Sequence, residues 1–385
     1  MPSYHAVGSI PHKRHTQFRK PDGSLYAEEL FGEEGFSGCY SLLYHQYPPT
    51  RVTRIERLQV EHPAEWPQEI HRHHHFKTRE MERGGDPVFG RKLLMYNHDC
   101  TISVGRPTAA MDYFYRNAQG DELIFVHEGE GTLETIFGLL PYHEGDYLVI
   151  PRGTTWRILP ASSEQRMLFV EAFGGDIQPP KRYRNEFGQL LEHSPYCERD
   201  LRAPGELPLH TERGTYEVRV KVNGEVMRYF FDFHPLDLVG WDGFLYPYAF
   251  NIHDFEPITG RVHQPPPVHQ TFEGPNFVVC SFCPRKLDYH PESVPVPYNH
   301  SNIDSDEMIY YVSGNFGSRR GVEVSSITLH PRGIPHGPHP GTVEKSLGAE
   351  RTEELAVMVD TFHPLKLATD AERYDDPQYP FSWLE

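Results

Sequence analysis

The chain has 385 residues and a formal net charge of −17, with 38% hydrophobic and 13% aromatic residues. That length suits two domains of ordinary size, or one domain with a large insertion. Its scattered Lys and Arg residues on an acidic background repel phosphate backbones and anionic lipid, which argues against nucleic acid and membrane as partners.

The 32 glycines and 35 prolines exceed the average combined usage of about 12% and favour short strands joined by tight turns. Residues 1–60 are polar and punctuated by Gly and Pro, and read as an N-terminal arm with edge strands such as 40–44. The histidines of 71–75 follow one another along one segment, point in different directions, and read as a polar stretch. From 92 to 173 short apolar runs recur at 123–126, 147–150 and 167–170. Residues 174–210 lack periodicity and read as the interdomain connection, which divides the chain into 1–190 and 191–385.

Period-two alternation resumes at 216–222, followed by strand-like runs at 276–282, 308–312, 327–329 and 355–359. Helix candidates are short, at 344–348 and 370–374. The sum is an all-β protein with two related barrels in tandem.

Five cysteines are present: Cys39, Cys100, Cys197, Cys280 and Cys283. Their number is odd and their spacing irregular, no signal-like N-terminus or run of 18 apolar residues is seen, and a cytoplasmic, thiol-reduced protein is expected. Cys280 and Cys283 form a C-x-x-C, but inside an apolar run with no second such pair, so core cysteines are the expectation.

One motif occurs twice. Asp121-Glu122 opens an apolar run ending at Gly129 and is followed by Pro151-Arg152-Gly153 and Trp156; Asp306-Glu307 opens a run ending at Gly314 and is followed by Pro331-Arg332-Gly333 and His336. His300 stands seven residues before Glu307, where the first copy has Tyr115. Self-similarity of two half-chains is a mark of duplication. Two imidazoles and one carboxylate on one face of a metal are the ligand set of non-haem Fe(II) oxygenases. The expected ligands are therefore His300, Glu307 and His336, with Asp306 a lesser rival for Glu307. Trp156 in the first copy implies a filled, metal-free interior. His330 and His339 flank His336 in sequence and are candidates for supporting roles. His263 and His269, in a Pro-stiffened stretch, are candidates for the acid/base.

A duplicated barrel with a Glu on one strand and a P-x-G-x-x-H turn resembles a bicupin, two tandem jelly-roll barrels. Tyr298-Asn299-His300 with Glu307, then Leu329-His330 and Pro335-His336-Gly337-Pro338, resembles the homogentisate 1,2-dioxygenase family. Gly240-Trp241-Asp242-Gly243, Tyr246-Pro247-Tyr248 and Gly120-Asp121-Glu122-Leu123-Ile124 fit the same family, and the likeness is strongest from 240 to 365.

The resemblance implies an Fe(II) enzyme that opens the ring of homogentisate with O2 to give maleylacetoacetate, in tyrosine and phenylalanine breakdown. It implies His300, Glu307 and His336 as iron ligands, His330 as a second active-site histidine, and an acid/base nearest His263, with His269 the alternative. It also implies a small aromatic acid as substrate, contacted near Phe316, His336 and His339, and a homo-oligomer. The chain is shorter than the better-known members around 260–300. It has Phe316 where the family has a substrate-contacting Tyr, a loss of one hydrogen bond worth roughly 0.5–1.5 kcal/mol. A related hydroquinone acid such as gentisate is therefore the alternative substrate, with Arg319 or Arg320 a candidate partner for its carboxylate. The competing functional classes are a non-catalytic metal-binding bicupin and a zinc or manganese sugar-phosphate isomerase.

Overall fold

The computed structural model describes residues 3–314, 316 and 321–384. The described elements are almost all strands; the two α-helices, Thr342–Ser346 and Thr369–Glu372, are single turns close to where the sequence places them. No helix among the described residues is long and apolar enough to cross a membrane.

Three sheets define the architecture. An eight-stranded sheet carries Asp146–Ile150, Gly120–Glu128, Arg166–Phe173 and Cys100–Gly105 at its centre. A seven-stranded sheet carries Gly131–Thr135, Thr155–Pro160, Phe114–Asn117 and the long hairpin Arg213–Val222/Glu225–Phe233. Ile124, Val126, Ile150 and Phe169 of the first meet Leu133, Tyr142, Trp156 and Ile158 of the second in one buried cluster, the filled interior of the first barrel. The second barrel is built on a six-stranded sheet, in which Phe277–Phe282, Leu355–Thr361, Asp306–Ser313 and Ile327–His330 lie side by side.

The two barrels stand back to back. Along Gly120–Glu128 successive side chains face opposite ways: Ile124 and Val126 enter the first interior, whereas Leu123 and Phe125 join Met308, Tyr310, Val279 and Val357 of the other barrel in the largest core of the molecule. Strands buried on both faces read as continuous apolar runs rather than alternation, which is why 123–126 and 308–312 carry no polar residue. On the inner face of the second barrel, Glu307 is followed by Ile309 and Tyr311, which pack with Cys280, Phe316 and Met358. Cys280 and Cys283 are free, buried thiols, and burial pushes the Cys283 pKa up to about 12.

The duplication is visible in hydrogen bonds. Asp121 accepts from the backbone N–H of Arg152 through Oδ1 and of Ile177 through Oδ2, both at 2.9 Å; Asp306 accepts from Arg332 at 2.8 Å and Leu365 at 2.7 Å through the same two atoms. Both aspartates are clamps on the following Pro-Arg-Gly turn, so Asp306 is occupied and is no rival to Glu307. Gly129 and Gly314 end the two copies at φ +106° and +95°, where a Cβ would lie 2.3 Å from Glu164 O and 2.0 Å from Glu353 O. Only glycine fits such a turn.

Two expectations need correction. The division at 190/191 does not follow the sheets: Arg213–Phe233 belongs to the seven-stranded sheet, and Tyr248–Asn251 pairs with Asp146–Ile150. The stretch 174–210 buries Ile177 and Tyr196 in the largest core and adds the strand Leu201–Arg202 to the eight-stranded sheet, and we propose the division near residue 252. The N-terminal segment is also no free arm. His5–Gly8, Ala27–Gly32 and Tyr40–His45 form a four-stranded sheet with Leu238–Gly243, burying Leu42, Leu43 and Tyr44.

The halves also exchange edge strands: His74–Phe76 pairs with Ile327–His330, and Lys366–Leu367 with Lys92–Tyr96.

Candidate metal centre

His300 and His336 are tied to each other by backbone. His300 N–H donates to His336 O and His336 N–H to His300 O, each at 2.8 Å. This two-bond bridge sets the two rings side by side, 4.2 Å between centroids. Close packing of the next residue enforces it: a Cβ on Gly337 would fall 2.3 Å from Asn299 Oδ1 and 2.8 Å from Asn299 Cα. The turn leading to His336 is held by Gly333 N–H donating to Asn302 O at 2.6 Å.

Glu307 is the second residue of the central strand Asp306–Ser313 and faces the same space. Its Oε2 lies 3.4 Å from His300 Nε2 and its Oε1 3.3 Å from His336 Nε2. One ligand atom from each of the three residues falls within 4.8 Å of the others. His336 is 3% exposed, yet neither of its ring nitrogens has a hydrogen-bond partner. Nε2 lies near the Glu307 carboxylate without a hydrogen bond, a costly arrangement for a buried polar atom, and a metal ion would satisfy that nitrogen. Burial alone would raise the Glu307 carboxyl, but the imidazoles of His300, His330 and His336 hold it well below the usual carboxylate range. The donor set is therefore anionic and open, and fits a divalent cation with two imidazoles and one carboxylate.

A supporting layer surrounds the three. His330 sits opposite Glu307 in register and its Nδ1 is 2.9 Å from Glu307 Oε1, while its Nε2 is 3.2 Å from Tyr379 Oη. On the other side Glu307 pairs in register with Asp360, whose pKa burial and the Glu307 charge push well above the usual range. His73 packs edge-on to both His330 and His336, at 5.6 and 5.9 Å, and against Trp383 at 5.3 Å.

The sequence pattern reveals none of Asp360, His73, Tyr379 or Trp383 as part of the site. The histidine run at 71–75, read as a polar stretch, is in fact buried at His73, His74 and His75 because it supplies the edge strand of the second barrel.

In the first barrel the two histidine positions carry no such donors. Tyr115 and Trp156 stack edge to face at 5.2 Å where His300 and His336 stand in the second copy, and Ile150 faces Glu122 where His330 faces Glu307. The Glu122 carboxylate is paired with Arg91 Nη1 at 2.6 Å. A guanidinium and two aromatic rings occupy the place of the metal site.

The other expected residues divide. His263 is partly exposed, its Nδ1 3.9 Å from Asp288, and its ring meets Tyr298 at 5.3 Å, which in turn lies 6.0 Å from His300. His269 is buried against Phe282, and burial takes its pKa down to about 3. Among the described residues neither makes a hydrogen bond or ring contact with the three candidate ligands. His339 turns away to the C-terminal segment, with Nε2 2.7 Å from Ser382 Oγ and its ring stacked on Trp383 at 4.4 Å. Phe316 packs on Tyr311 at 4.8 Å. Arg319 and Arg320 lie outside the described residues.

Fold and site together define a bicupin with one intact two-histidine, one-carboxylate centre. The family model for the homogentisate 1,2-dioxygenase N-terminal region matches residues 3–252. A protein of Saccharolobus solfataricus named "Putative dioxygenase SSO1533" is 45% identical over 383 residues, covering 99% of this chain and 98% of the relative. The homogentisate 1,2-dioxygenases of Bradyrhizobium diazoefficiens and Rhodopseudomonas palustris are 25% and 24% identical over 68% and 70% of this chain, matching 60% and 61% of their own lengths. The chain belongs to the homogentisate 1,2-dioxygenase family.

Proposed function

We propose that this protein is an Fe(II)-dependent dioxygenase that opens the ring of homogentisate, or of a closely related hydroquinone acid, to give maleylacetoacetate or its analogue. The observation that carries the reading is the backbone-bridged His300/His336 pair facing Glu307, with His336 buried and neither of its ring nitrogens hydrogen-bonded among the described residues. His300, Glu307 and His336 would hold the iron, which supplies redox chemistry toward O2 and lowers the pKa of a bound ring hydroxyl.

The protein's own residues do the rest. His330, fixed between Glu307 and Tyr379, orients the carboxylate. His263 is the better proton acceptor of the two upstream histidines. It is partly exposed and reaches the site's edge through Tyr298, and burial lowers its pKa, which keeps it neutral at pH 7. His269 is held too low to keep a proton at neutral pH. The substrate carboxylate finds a candidate partner in Arg285, which lines the same recess as His263 and His269. Burial lowers the Arg285 pKa and no carboxylate lies within 4.0 Å of it among the described residues. Tyr311, packed on Phe316, brings a phenol into the region where the family's tyrosine is replaced.

The test is O2 consumption with homogentisate by protein reconstituted with Fe(II). Arg285→Met should raise KM about tenfold or more for an acid substrate while leaving metal content unchanged, since a charge-assisted hydrogen bond is worth about 1.5–3 kcal/mol. Unchanged KM would remove Arg285 from the site.

A further inference from the structure

A second cavity, of about 300 Å³, lies in the N-terminal half between the four-stranded and seven-stranded sheets, away from the candidate metal centre. One wall is apolar, made by Ile136, Phe231, Phe233 and Pro235. The polar groups facing it are of both signs and incompletely paired.

Arg116, on the strand Phe114–Asn117, donates from Nε and Nη2 to a single hydroxyl, Thr155 Oγ1, at 2.9 and 2.6 Å. Its Nη1 has no partner, and no carboxylate comes within 4.0 Å of the guanidinium among the described residues. Burial pulls its pKa down, with Glu29 compensating only from a distance. Opposite, Glu29 Oε2 accepts from His45 Nε2 at 2.8 Å, and Oε1 has no hydrogen-bond partner among the described residues. Glu28 lines the same wall, with both oxygens already engaged by His15, from N–H at 3.1 Å and from Nδ1 at 2.5 Å, and adds negative charge rather than a free acceptor. His45 itself is anchored from behind by Asp237 at 2.7 Å, so the acidic side is a fixed arrangement.

An uncompensated guanidinium and a half-used carboxylate facing one cavity, too far apart to pair, suit a ligand that carries both charges. A simple anion would meet Glu28 and Glu29; a simple cation would meet Arg116. Small-molecule sites of this kind combine an apolar wall with a few fixed polar groups, and a carboxylate on a guanidinium is a strong, directional pairing. We propose that this cavity binds a free α-amino acid with an apolar side chain, its carboxylate on Arg116, its ammonium on Glu29, and its side chain against Phe231 and Phe233. The site is independent of the metal centre.

The experiment is calorimetric titration of the metal-loaded protein with glycine, L-leucine and L-phenylalanine, and with the N-acetyl and C-amide forms of the last two. L-Leucine or L-phenylalanine should bind more tightly than glycine. Blocking either end should weaken binding at least tenfold, Arg116→Met should abolish it, and removal of the metal should leave it intact. Absence of binding at millimolar concentration would overturn the proposal. So would equal binding of the blocked forms, binding that is unchanged in Arg116→Met, or binding that disappears with the metal. Should Arg116→Met fail to fold, the blocked forms decide the matter on the unaltered protein.

Discussion

His336 is the residue on which the site turns, because it is the one buried imidazole of the three candidate ligands with both nitrogens unsatisfied. His336→Ala is expected to lose iron and turnover while keeping the fold, read by metal content, O2 uptake and circular dichroism; stoichiometric iron with full activity would remove it from the ligand set. Of the acid/base candidates, His263→Ala should slow turnover by about 10²–10⁴ with iron retained, and His269→Ala should not slow it comparably. The reverse result would exchange their roles. Tyr379→Phe removes a hydrogen-bond partner of His330 and should weaken metal binding by about 10–100-fold, the usual effect of losing an outer-shell partner; unchanged affinity would leave Tyr379 a packing residue.

At the scale of elements, the bridge between His300 and His336 depends on Gly337 lying against Asn299. Gly337→Ala forces its Cβ into Asn299, and the account predicts a weakened metal site in a protein whose sheets persist. Undisturbed metal binding would show that the loop yields easily.

What the sequence discloses follows the same line. His300 and His336 are readable because a local motif, repeated with its histidines missing at Tyr115 and Trp156, isolates them. The strands 308–312 and 355–359 are readable from their apolar runs. His73 and Tyr379 are not, because they reach the site through pairings with residues more than 40 positions away, such as Leu329 with His74, and no local pattern encodes those. The hairpin Arg213–Phe233 is visible as alternation, but its place in the first barrel depends on the parallel pairing of Val218 with Phe114, again a long-range fact.

At the scale of the molecule, one barrel holds the candidate metal centre and the other backs it through a shared apolar core, with edge strands exchanged between them. The N-terminal half holds its own electrostatic keystone. Burial alone would lower the His45 pKa, but hydrogen bonds to Asp237 and Glu29 raise it from 6.5 to about 9. A pKa raised on folding contributes stability that is complete below about pH 6.5 and is lost as pH rises through 9. Relative to His45→Gln, the unaltered protein should therefore lose on the order of 3 kcal/mol of stability between pH 6 and pH 10, measured by denaturant unfolding at each pH. Parallel pH profiles for the two proteins would contradict this.

The most direct test of the central claim is anaerobic reconstitution with Fe(II), followed by addition of homogentisate and simultaneous measurement of O2 and ring-opened product. The account predicts one O2 consumed per homogentisate, abolished by chelation and by His336→Ala. Protein that holds stoichiometric iron at this centre yet consumes no O2 with homogentisate, gentisate or another hydroquinone acid would contradict it.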